Sequence, residues 1–153
     1  MSKVYSFKTV QVLNISLEDA WNFFSSPKNL QKITPEKLGF KIKSKFHGDK
    51  MYPGQIIEYI VSPMFGIPLY WMTEITHVDE KKYFVDEQRF GPYSIWHHQH
   101  HFKETAEGVE MTDIVHYKIP FGFLGDIANE LFVKKQLKQI FDYRYKTVEK
   151  LFS

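Results

Sequence analysis

The chain has 153 residues, with 20 basic and 18 acidic side chains and no cysteine. That length fits a single domain spanning 1–153, the balanced charge argues against a nucleic-acid partner, and the missing thiols exclude disulfides and cysteine metal sites. Aromatic residues make up 17% of the chain, enough to wall a cavity as well as fill a core.

Met1-Ser2-Lys3-Val4-Tyr5 runs straight into strand-like sequence and reads as lacking a secretory leader. No apolar run approaches the roughly 18 residues that a membrane span needs. A cytoplasmic location with no membrane contact is the expectation. Val4–Leu13, β-branched and aromatic, predicts a first strand. Ser16 offers an N-cap to a short amphipathic helix that carries Glu18 and Asp19 in its first turn. Its aromatics, Trp21, Phe23 and Phe24, are assigned to the core. Ser26-Pro27 opens a second short helical segment, and Thr34-Pro35 closes it, because a residue before proline resists helix.

From Gly39 to Ile119 the hydrophobic period is two. Phe40–Phe46, Gln55–Val61, Leu69–His77, Lys82–Phe90, Ser94–Lys103 and Val109–Ile119 are predicted strands. Between them fall Gly48-Asp49, Pro53-Gly54, Val78-Asp79-Glu80, Gly91-Pro92 and Ala106-Glu107-Gly108. Links this short join antiparallel neighbours. The loop Ser62–Pro68 holds apolar Met64 and Phe65 between two prolines. It is either a lid, a patch for a partner or membrane, or a loop packed on its own side chains. After Ile119 the period becomes helical. Val133, Leu137, Ile140, Phe141, Val148 and Leu151 mark one stripe of a helix over 126–152, about 40 Å long, with Asp126 as N-cap. Lys134, Lys135 and Lys138 fall off that stripe, on a solvated face.

The order predicts an α+β helix-grip fold. Six or seven antiparallel strands form a curved sheet around a long C-terminal helix, with two short helices after the first strand. Registering the last four strands on their turns sets Phe102, His100, His98 and Trp96 against Met111, Asp113, Val115 and Tyr117. It also sets Phe84, Asp86 and Gln88 against His100, His98 and Trp96, and Ile75, Thr73 and Trp71 against Phe84, Asp86 and Gln88. Opposed residues share a face, so all of these point inward. The other face carries Glu74, Glu87, Arg89, His97, Gln99, His101, Lys103, Glu110, Thr112, His116 and Lys118. A slip of one residue would bury those charges. Of the histidines in Trp96-His97-His98-Gln99-His100-His101-Phe102, His98 and His100 therefore face in, and His97 and His101 face out.

Asp86, Gln88, His98, His100 and Asp113 thus sit among aromatics where an ordinary core would use Leu or Val. An unpaired buried polar group costs about 1–3 kcal/mol, so the five must satisfy one another or face a cavity. The same region carries a family likeness. Phe90-Gly91-Pro92-Tyr93-x-x-Trp96-x-His98-x-His100-x-Phe102 resembles a polyketide cyclase/dehydratase-like subfamily of the SRPBCC (START-like, helix-grip) superfamily. So do Met111-x-Asp113-x-Val115-x-Tyr117-x-x-Pro120-Phe121-Gly122 and Ile140-Phe141-x-Tyr143-Arg144. Asn29-Leu30-x-x-Ile33-Thr34-Pro35 and Gly66-x-Pro68-x-x-Trp71 extend the likeness over nearly the whole chain. The resemblance implies a deep cavity between sheet and C-terminal helix, and transfers a fold rather than a substrate. Oxygenase members pair with an iron–sulfur domain, and the absence of cysteine sets that branch aside.

The leading expectation is a non-enzymatic binding module for a small, mostly apolar organic molecule. Its wall would comprise Trp71, Asp86, Gln88, Trp96, His98, His100, Asp113, Tyr117 and Arg144. Arg144 falls on the helix stripe, where it clamps a ligand carboxylate, snorkels outward or pairs with a structural acid. The alternative is a cyclase or dehydratase in which Asp113 orients His100 as a general base. His98-x-His100 puts two imidazoles on one side, but no third inward histidine joins them and the carboxylates serve better as their partners, so no metal and no cofactor is expected. A monomer or a homodimer both fit.

Overall fold

A computed structural model describes residues 3–45 and 50–153. Met1, Ser2, Phe46 and the turn expected at Gly48-Asp49 lie outside the described residues. Strand β1 covers Tyr5–Leu13 and helix α1 Leu17–Phe24, followed by 3₁₀ turns at Pro27–Ile33 and Glu36–Leu38. Strands β2 to β7 then run Lys41–Ile42, Gln55–Val61, Leu69–Asp79, Tyr83–Phe90, Ile95–Thr105 and Gly108–Lys118. Helix α2 spans Phe123–Ala128, a π turn Asn129–Val133, and helix α3 Lys134–Leu151.

The strands form one antiparallel sheet in the order β1-β7-β6-β5-β4-β3-β2. This is the expected α+β helix-grip arrangement. Ser16 caps α1 as expected, accepting the Asp19 amide at 3.0 Å. The β6–β7 register is the predicted one, with Trp96, His98, His100 and Phe102 opposite Tyr117, Val115, Asp113 and Met111. The turn there tightens to Ala106-Glu107, and Gly108 is the first residue of β7. Gly108 has φ +125, and a Cβ on it would stand 2.0 Å from the Leu13 carbonyl oxygen, so only glycine fits.

Some expectations are corrected. Between β4 and β5 the register shifts, so Ile75 pairs with Asp86 and Thr73 with Gln88 rather than with Phe84 and Asp86. The cause is an extra residue, Thr76, bulged between Ile75 and His77. Among the described residues, the strand expected over Phe40–Phe46 is reduced to Lys41–Ile42, with Lys43 N–H adding a bond to the Glu58 carbonyl at 2.8 Å. The C-terminal helix begins at Phe123 behind Gly122, leaving Asp126 inside its first turn instead of at the N-cap. Its stripe buries Leu137, Phe141 and Val148, whereas Leu151 is half exposed at the frayed end. No helix among the described residues is long and apolar enough to cross a membrane.

Buried apolar side chains gather in separate clusters rather than one mass. Trp21, Phe84, Phe102, Val109 and Val148 lie at the α1 end. Val115, Tyr117, Leu137 and Phe141 join β7 to α3, while Leu38, Val61 and Trp71 sit at the β3–β4 side. The space between the clusters is where the site lies.

Candidate functional site

Strands β3 to β7 and helix α3 enclose a cavity of about 430 Å³. Trp71, Trp96, Tyr59, Tyr93, Ile57 and Ile140 supply much of its wall, and Phe23 and Phe24 join it from α1. Its acidic and basic side chains are few. Asp86 on β5, His98 and His100 on β6, and Asp113 on β7 all line it, as does Arg144 on α3.

The two imidazoles lie with ring centroids 3.7 Å apart and 31° between their planes, and Phe84 stacks on His100 at 4.1 Å. A carboxylate stands at each edge of this pair. Asp113 Oδ1 accepts from His98 Nε2 at 2.7 Å and lies 3.1 Å from His100 Nδ1. Asp86 Oδ2 accepts from His100 Nε2 at 2.6 Å and lies 3.6 Å from His98 Nδ1. Both nitrogens of His100 thus face carboxylate oxygens within hydrogen-bond reach, which is the environment of an imidazolium. Only one nitrogen of His98 does, so its Nδ1 is left without a proton to share.

Electrostatics follow that geometry. Burial pushes Asp113 up, but hydrogen bonds from His100 and His98 outweigh it and hold the carboxyl well below the usual range. Asp86 is lowered too, the positive histidine edges and Arg144 overcoming its burial. Burial and the neighbouring His100 charge lower His98, whereas the two carboxylates overcome burial and raise His100. The four groups therefore carry one net negative charge with His98 neutral, and Arg144 brings the site to zero.

Arg144 lies with its guanidinium carbon 5.0 Å from the Phe141 ring centre. Its Nε is buried without a hydrogen-bond partner, and it forms no ion pair among the described residues. A further polar group sits beside it. Trp71 Nε1 donates to Thr73 Oγ1 at 3.0 Å, and Thr73 Oγ1 lies 3.2 Å from Tyr59 Oη.

The sequence-derived residues are divided by the structure. Trp71, Asp86, Trp96, His98, His100, Asp113 and Arg144 meet at the cavity. Gln88 does not, because its side chain is spent holding the β5–β6 turn, donating to the Tyr93 carbonyl at 2.6 Å and accepting its amide at 3.0 Å. Tyr117 packs behind the wall, its hydroxyl donating to Asn129 Oδ1 at 2.8 Å. His97 and His101 are on the outer face, His97 on Glu87 at 2.7 Å and His101 stacked on Tyr83. Tyr59 escaped the sequence reading, although registering β3 on β4 across Ser62–Pro68 sets it opposite Trp71, on the inner face.

At one end of the cavity Pro63, Met64, Pro120 and Phe121 form its rim, and Gln136 Nε2 donates to the Pro63 carbonyl to tie the β3–β4 loop to α3. Phe65 in that loop is 90% exposed, so it does not pack inward, and Phe121 after β7 is 82% exposed. Asp86, His98 and His100 also present donor atoms within 4.8 Å of one another, a separation that a divalent cation can span. Their hydrogen bonds to each other and to Asp113 hold the same atoms, so a cation would have to displace protons to enter.

No family model matches the chain, and no curated protein does. Solved structures are similar. Protein CV1439 from Chromobacterium violaceum matches with a TM-score of 0.70 at 16% identity over 96% of both chains. Ginseng major latex-like protein 151 from Panax ginseng matches with a TM-score of 0.70 at 13% identity over 98% of both. TTHA0849 from Thermus thermophilus matches with a TM-score of 0.66 at 14% identity over 95% of both. At such identities the likeness carries the fold alone, the helix-grip arrangement of curved sheet and C-terminal helix.

Proposed function

We propose that this chain binds a small, mostly apolar organic molecule in the cavity between sheet and α3. The observation that carries the reading is the cavity itself, about 430 Å³ walled chiefly by aromatic and aliphatic side chains, with Asp86, His98, His100, Asp113 and Arg144 as its acidic and basic groups. Apolar walls supply the driving force for burial, and a few convergent polar groups orient what enters. The subfamily likeness to polyketide cyclases and dehydratases belongs to the same proposal and adds no substrate.

The neutral fluorophore 1-aminoanthracene tests the reading. One molecule per chain should bind, with quenching of Trp71 and Trp96, and Ile57→Phe, which puts a larger side chain into the wall, should weaken binding. Binding that survives Ile57→Phe unchanged, or no binding at all, counts against the cavity as a ligand site.

A second reading, acid–base catalysis of the cyclase or dehydratase type, is favoured by one feature. The Nδ1 lone pair of His98 is held by the Nε2–H bond to Asp113 in an imidazole that lines the cavity. The base in that reading is His98, because both nitrogens of His100 are engaged. His98→Gln would then remove turnover of a bound substrate while retaining its binding.

A further inference from the structure

The donors and acceptors left over around the cavity narrow the class of ligand. Five N–H groups belong to Arg144, and its buried Nε has no partner. The Tyr59–Thr73 pair holds another spare donor. Thr73 Oγ1 already accepts the Trp71 indole proton, and the two hydroxyls share one bond. Whichever hydroxyl donates in that bond, the other keeps one O–H proton uncommitted. Arg144 is close enough to Tyr59 and Asp86 for its charge to be felt at both. Arg144 is half-buried, and its buried, unpaired Nε facing an apolar space is costly unless an acceptor meets it.

Charge counting limits that anion. Without ligand, Asp86 and Asp113 contribute two negative charges and His100 and Arg144 two positive ones, with His98 neutral. A monoanion entering the site leaves one negative charge uncompensated. His98 can cancel it by taking a proton from solvent at Nδ1, 3.6 Å from Asp86 Oδ2. Of the groups facing His98, Asp86 from β5 and Asp113 from β7 favour this, whereas its burial, the cationic His100 beside it on β6 and Arg144 from α3 across the cavity oppose it until an anion enters. A dianion, such as a phosphate monoester, would still leave a buried negative charge after that step.

We propose that the ligand is an organic acid bound as its carboxylate. Arg144 and the free hydroxyl of the Tyr59–Thr73 pair take the carboxylate, its apolar body fills the space under Trp71 and Trp96, and His98 takes up one proton from solvent as it enters. This rests on the cavity being a ligand site, and it adds the chemical class and the proton.

Decanoate, methyl decanoate and decyl phosphate test it, titrated by tryptophan fluorescence and by calorimetry in two buffers of different ionisation enthalpy. Decanoate should bind at one per chain at pH 7, about tenfold or more tighter than the ester, since a charge-assisted pair is lost with the ester. Its binding should take up close to one proton and weaken as pH rises. Arg144→Gln should reduce decanoate affinity to that of the ester, and Arg144→Lys should restore part of it. If Arg144→Gln fails to fold, the acid–ester comparison in the wild type decides alone. Equal affinity for acid and ester, or a preference that survives Arg144→Gln, overturns the proposal while leaving the cavity as a ligand site. Decyl phosphate matching decanoate overturns the monoanion assignment, and absence of proton uptake overturns the role of His98. Failure of both acid and ester to bind overturns the cavity reading as well.

Discussion

At the scale of single residues, the two adjoining histidines are chemically opposite although they are two positions apart on one strand. His98 is 5% exposed in its side chain and His100 15%, so solvent does little to level them. His98 sits below its ordinary value of 6.5, first through burial and then through the charge of His100. Between 6.5 and that lower value, the unfolded chain binds a proton that the folded chain refuses, so His98 costs stability as pH falls. His100 is raised above 6.5, its bonds to Asp113 and Asp86 overcoming burial. From 6.5 up to that higher value, the folded chain keeps a proton that the unfolded chain has released, so the contribution of His100 fades as pH rises. The two effects meet near 6.5, and Tm against pH should peak there. Asp113 and Asp86, both lowered, add stability that is lost only as pH falls below about 3.9. Titration of the ring signals by NMR reads the pair directly. His100 should titrate above the free value and His98 below it. The reverse order would show that the protons are distributed otherwise.

At the scale of elements, turns made the inner face legible and irregularities hid the rest. Ala106-Glu107-Gly108 and Gly91-Pro92 bound β6, so alternation alone brings Asp86, His98, His100 and Asp113 to one side. What alternation does not give is the direction of bonds across the strands. Asp113 stands opposite His100, yet its shorter bond runs diagonally to His98, a reach that side chains on a twisted sheet commonly make. Two irregularities have no marker in the sequence. Thr76 bulges without a glycine, and the π turn Asn129–Val133 interrupts the C-terminal helix without glycine or proline. The π turn has a visible consequence. It carries Asn129 fully buried beneath Tyr117, with Oδ1 accepting the phenol and Nδ2 left without a partner. Such turns often accompany functional sites, and here its last residue, Val133, and Leu137 in the turn after it join the cavity wall. Tyr117→Phe would leave Asn129 buried with neither polar atom bonded, at a cost of about 1–3 kcal/mol. Urea denaturation measures that cost. An unchanged midpoint would mean that the Tyr117–Asn129 bond contributes nothing to seating the helix on β7.

At the scale of the whole molecule, sheet and long helix grip a space rather than each other. Helix α3 touches the sheet firmly at two places, Phe141 against Phe7 with ring centres 4.8 Å apart and Val148 within the α1-end cluster. Arg144 between those anchors, and Ile140 just before the first, face the cavity. A chain that gives up close packing here differs from an ordinary core in its response to added volume. In a filled interior, extra methylenes force neighbours off their rotamers and cost about 1–3 kcal/mol. Beside a void, the added atoms gain dispersion contacts and displace nothing. Two buried aliphatic positions separate the cases. Ile57 is 3% exposed and lines the cavity, whereas Val109 is 0% exposed and lies inside the cluster formed with Leu13, Trp21 and Val148. Ile57→Phe should therefore leave the urea midpoint within about 0.5 kcal/mol of wild type in stability, or raise it. Val109→Phe should lower it by about 1–3 kcal/mol or more. Equal losses in the two variants would mean that the space between sheet and α3 closes in solution, leaving no room for a ligand.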